Sequence, residues 1–130
     1  MSDDPLKPDL KADEAHIRRE DVADVMVFAI ENENVYPKQA GEIAAVIRAL
    51  ALSAPRPKIL VDLSRVQFIS SAFIGNLADL QKLASEKSGS LKICVTGGHV
   101  AYTMKLVKLN KLIEIAGDRQ TLLDSFQTSP

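Results

Sequence analysis

The sequence predicts an α/β domain, and three observations predict it. Branched apolar runs of strand length recur at residues 25–30, 59–61 and 91–95. Between them apolar residues fall at helical spacing, as in Ala40, Ile43, Ala44, Ile47, Leu50 and Ala51. Each change of period coincides with polar, proline or glycine punctuation. Strands that alternate with helices in this way imply parallel pairing through right-handed crossovers.

The elements follow in order. Residues 1 to about 20 mix Asp, Glu, Lys and Arg with two prolines and show little apolar periodicity, so they read as a loosely attached leader, with at most a helical turn over residues 12–17. The domain proper is expected over residues 21–130. Val25 to Ile30 form the first strand, and Asn32 and Asn34 act as turn formers after it. Tyr36 and Pro37 introduce an amphipathic helix over residues 38–52, which Pro55 and Pro57 stop. The stretch Ile59-Leu60-Val61-Asp62 is then a buried strand that hands over, past a polar turn, to a helix carrying Phe73, Ile74, Leu77, Leu80 and Leu83. A polar turn at residues 85–90 and a strand at 91–95 come next. Gly97 and Gly98 lead into a helix over about 100–107, residues 112–115 make a short last strand, and residues 119–126 a terminal helix with Leu122, Leu123 and Phe126 inward.

At 130 residues the chain fits one domain with a single core. Apolar residues at 46% and charged residues at 25% are ordinary globular values, which argues against a disordered or membrane class. A net charge of −1 provides no basic field for nucleic acid. The acidic start Met1-Ser2-Asp3-Asp4-Pro5 is no secretory signal, and no run approaches the ~20 apolar residues of a membrane helix, so a cytoplasmic protein without membrane insertion is expected.

The sequence also argues against an enzyme. Ser70 and Ser71 lack an evident base, because the histidines are His16, in the leader, and His99, in a loop. Two scattered histidines and the single Cys94 offer no metal cluster. Asp62, Asp79 and Glu86 have no spacing that favours an acid–base pair over solvated charges. The Gly97-Gly98 turn lacks both the dinucleotide-binding spacing and the P-loop ending, and a small-molecule sensor site there is the weakest of the readings. No cofactor is expected.

The serines remain. Ser is a favoured N-cap type, and a helix N-terminus carries unpaired amides and about half a positive charge, so a phosphate could be held at Ser70 and Ser71. The alternative is that Ser70 caps the helix and Ser71 is a plain first-turn residue.

The run Asp62-Leu63-Ser64, then Val66, Phe68-Ile69, Ser70-Ser71-Ala72 and Ile74-Gly75 resembles the signature of the STAS domain, found in sulphate transporters and anti-sigma factor antagonists. The likeness spans about residues 25–126. It implies a mixed, mostly parallel sheet with helices mainly on one face. It also implies that Ser71 is the phosphoacceptor and that the chain binds an anti-sigma factor with serine-kinase activity, released when Ser71 is phosphorylated and reset by a phosphatase. Asn34, Tyr36, Ser70, Ser71, Phe73 and Asn76 are the expected contact surface. Phe73 stands where the family has glycine. It is either the exposed aromatic anchor of that surface or an inward core residue. The alternative is a STAS scaffold that never cycles phosphate, or a cytosolic accessory subunit of a membrane transport system.

Overall fold

The computed structural model describes residues 14–128. A five-stranded sheet has the order β1-β2-β4-β6-β7, built from Ile17–Val22, Val25–Ile30, Lys58–Asp62, Ser90–Cys94 and Glu114–Ala116. β1 runs antiparallel to β2, and every other neighbour in this sheet is parallel. β3 (Asn34–Val35) and β5 (Phe68–Ile69) make a separate parallel pair. The helices are α1 (Pro37–Ser53), α2 (Ser71–Glu86), α3 (Gly98–Leu106) and α4 (Arg119–Thr128), with a 3-10 turn at Leu109–Lys111.

Alternation along the strands divides the core between two faces. Phe28, Ile59, Val61, Leu91 and Ile93 point to the side covered by α1, α2 and α3. Val25, Val27, Leu60 and Cys94 point the other way, against Leu122, Leu123 and Phe126 of α4. Three helices therefore share one face and α4 alone covers the second, as expected for a mixed, mostly parallel sheet.

β1 corrects the sequence reading. Ile17 to Val22 pair with β2 along the whole strand and close a hairpin through Ala23 and Asp24, so residues 17–20 of the expected leader belong to the sheet. The helical turn expected over residues 12–17 is not formed in its described part, and residues 1–13 lie outside the described residues. The strand escapes an apolar pattern because it is an edge. Arg18, Arg19, Glu20 and Asp21 blunt it with charge, which also discourages pairing with another chain.

Gly89 is needed for close approach. A Cβ there would lie 2.0 Å from the Pro57 carbonyl oxygen, where the turn after α2 passes the start of β4. Gly97 and Gly98 have φ of 113° and 74°, so the glycine pair is explained by the left-handed turn that starts α3.

Candidate functional site

The site forms where β5 hands over to α2. Ser70 adopts an extended backbone, and its Oγ accepts a hydrogen bond from the Phe73 amide at 3.4 Å, the N-cap geometry. Its own amide donates to the Val35 carbonyl at 2.9 Å, fixing the start of α2 against β3. Ser70 is consequently buried, and Ser71, the first residue of α2, is exposed. The two serines thus have different roles: one holds the helix end, and the other presents a hydroxyl beside it.

Phe73 has 0% exposure and sits with Leu77, Leu80 and Ala84 on the inward stripe of α2. As an exposed aromatic anchor it is therefore corrected. The ring fills the core because residues three, four and seven apart share one helix face. Ser70, also expected on the contact surface, is corrected likewise, since its hydroxyl is turned into the cap.

Exposed aromatics do occur at this rim, one turn of chain earlier. Tyr36 (51% exposed) and Phe68 (37%) lie with ring centroids 5.5 Å apart and planes tilted by 44°. The parallel register of β3 with β5, which sets Asn34 beside Phe68 and Val35 beside Ile69, brings them together. Tyr36 precedes α1, whose buried Gln39 reaches back to accept from the Tyr36 amide at 3.0 Å. Asn34 is exposed at the same pair of strands, and Asn76 lies partly exposed one turn further along α2, facing Gly41 and Ala45 of α1. Phe68, part of the STAS-like run, was not among the expected contact residues: Val66 and Ile69 turn in while Gln67 and Phe68 turn out, an alternation that a two-residue strand is too short to make legible in the sequence.

Groups with displaced proton affinity lie on the α4 side. Asp62, at the end of β4, is buried; burial alone would push its carboxyl up, but hydrogen bonds from Ser64 and Arg119 outweigh that and hold it below the usual carboxylate range. Arg119 Nη2 reaches Asp62 Oδ2 at 2.6 Å, and its Nη1 reaches Glu20 at 2.7 Å, so α4 is pinned to β4 and β1 by one guanidinium. The neighbouring Cys94 thiol is pushed up to about 11, mainly by burial, with the Asp62 charge adding to it. Buried Lys92 hydrogen-bonds Ser125 Oγ at 2.6 Å and lies 4.4 Å over the Phe126 ring. These are fastenings of α4. Asp79 and Glu86 are exposed on α2, away from Asp62. Among the described residues no cluster of His, Cys, Asp and Glu could hold a metal, and no helix is long and apolar enough to cross a membrane.

Fold and rim together define a small α/β domain that offers an exposed serine at a helix tip beside an exposed aromatic pair. The family model described as "Mlab, STAS domain" matches residues 37–114, more than half of the chain, and the chain belongs to the STAS-domain family. Among solved structures it is similar to an anti-sigma factor antagonist from Mycobacterium paratuberculosis, at 21% identity and a TM-score of 0.78, covering 88% of this chain and 96% of that one. It is also similar to an anti-sigma-factor antagonist (STAS) domain protein from Planctomyces limnophilus, at 20% identity and a TM-score of 0.73, covering 88% and 99%. A third likeness is to the murine Solute Carrier 26 family member A9 anion transporter, at 11% identity and a TM-score of 0.70, covering 85% of this chain and 19% of the transporter. At these identities the likeness shows the fold. A search of curated proteins gave no match.

Proposed function

We propose that this chain is a binding module, an anti-sigma factor antagonist of the partner-switching kind, and not an enzyme. Unphosphorylated, it binds an anti-sigma factor with serine-kinase activity in the cytoplasm. That partner uses ATP and Mg²⁺ to phosphorylate Ser71, and a phosphatase resets the switch. The observation that carries the reading is the exposed Ser71 at the first turn of α2, three residues after the exposed Phe68 that packs on Tyr36, with the Phe73 ring turned inward. Membership of the STAS family and the names of the two bacterial neighbours support it.

The switch follows from charge. Phosphoserine adds about −1.5 to −2 charges at neutral pH. The helix end stabilises an anion by about 0.3–1 kcal/mol, so the fold tolerates the group. A partner packed over Tyr36 and Phe68 would have to desolvate the same dianion, which costs several kcal/mol. The contact surface is Asn34, Tyr36, Phe68, Ser71 and Asn76, with Tyr36 and Phe68 as anchors.

Incubation with the cognate kinase and ATP should add one phosphate to the intact mass, abolished by Ser71→Ala. Ser71→Asp should weaken kinase binding at least about tenfold while moving the melting temperature by less than about 2 °C. An unchanged mass would favour the second reading, a scaffold or accessory subunit of a membrane transport system, which the likeness to part of an anion transporter supports.

A further inference from the structure

α3 carries apolar side chains on both sides. Val100 and Met104 are buried toward the core, yet Tyr102 and Leu106, on the opposite face, are 65% and 66% exposed. Exposed Val107 follows directly after α3, and exposed Leu112, past the 3-10 turn, lies against α2. Lys105, Lys108 and Lys111 are exposed between them, giving Lys105-Leu106-Val107-Lys108 and Lys111-Leu112. No Asp or Glu occurs from Lys87 to Ile113, although the whole chain has a net charge of −1. The segment therefore combines exposed apolar tips with positive charge that no acidic residue of its own offsets; Asp79 and Glu86 of α2 lie on its far side, beside Leu112.

From this surface we propose that α3 and the following turn dock on an anionic lipid surface. Charge complementarity selects the occupant, and the arrangement of the side chains separates lipid from protein. Protein interfaces gather apolar residues into a centre surrounded by a polar rim. Here lysines and apolar residues alternate, which a headgroup layer accommodates: Tyr102, Leu106 and Val107 enter the acyl boundary while the lysine stems lie along it and keep their ammonium groups among the phosphates. The docking is peripheral, because α3 spans only Gly98–Leu106. The proposal does not depend on phosphorylation of Ser71.

The full chain should co-sediment with phosphatidylcholine vesicles that contain about one-third phosphatidylglycerol, and not with phosphatidylcholine alone. Each Lys→Gln change at 105, 108 or 111 should lower the partition coefficient about fivefold, and the triple variant about a hundredfold. Tyr102→Ser with Leu106→Ser should also release the protein at low salt, whereas Val46→Ser on the exposed side of α1 should not. Circular dichroism melts of each variant confirm that it is folded. Three results would overturn the proposal: no sedimentation with anionic vesicles, sedimentation indifferent to the lysines, or a concentration-dependent dimer that requires Tyr102 and Leu106 and forms without lipid.

Discussion

Truncating Phe73 distinguishes a core role from a docking role at the residue where this chain departs most from the STAS signature. Phe73 is fully buried, on the stripe shared with Leu77, Leu80 and Ala84. Removing a buried phenyl ring loses its transfer free energy and leaves a cavity that the surroundings fill only in part, for a total of about 3–5 kcal/mol. An unfolding entropy of about 2.1 cal/mol/K per residue gives roughly 0.27 kcal/mol/K for 130 residues. Phe73→Ala should therefore lower the melting temperature by about 10–20 °C, a large share of the 5–15 kcal/mol that holds a typical domain together. Thermal melts followed by circular dichroism, with urea unfolding to check that the m-value is unchanged, read this directly. Phe73→Leu, which keeps most of the volume, should lose less than half as much. A Phe73→Ala protein that melts within about 3 °C of the parent but no longer binds its partner would refute the reasoning, since it would place the ring at the surface.

Two further outcomes follow from the α4 face. Arg119→Met should destabilise the protein by about 2 kcal/mol at pH 7, the low side for breaking a buried pair because the guanidinium is partly exposed. Asp62 is held below its unfolded value, so its contribution is present above about pH 4 and lost as pH falls through the folded pKa; the gap between Arg119→Met and the parent should close in acid, as urea titrations at several pH values would show. Cys94, buried with its thiol pushed up to about 11, should be only about one part in a thousand thiolate at pH 8 and should resist an aromatic disulfide reagent until the protein is unfolded. Rapid native labelling would contradict its burial.

Much of this architecture was legible because strand and helix periods differ and the chain changes between them at clear punctuation. The cap at Ser70 and the start of α2 at Ser71 were readable from the serine pair and the apolar stripe behind it. The inward position of Phe73 was readable too, since residues 73, 77, 80 and 84 form one helical stripe; the family glycine at that position gave the ring an apparent surface role. β1 was hidden because an edge strand guarded by charge has no apolar alternation to detect. Asp62 and Arg119 are 57 residues apart, and nothing local to either announces the pairing that joins a buried carboxylate to a partly exposed guanidinium. Phe68 was overlooked because its strand spans two residues and its partner, Tyr36, stands on another loop.

The small β3–β5 pair makes the identity of the presented residues a matter of parity. Val35 points in and Tyr36 out because β3 pairs with β5 in this register, held by the Ser70 amide on the Val35 carbonyl and by Gln39 on the Tyr36 amide. A slip of that pairing by one residue would exchange the two positions, hiding the phenol and exposing a valine. The cap at Ser70 therefore decides which side chain the neighbouring loop presents to solvent.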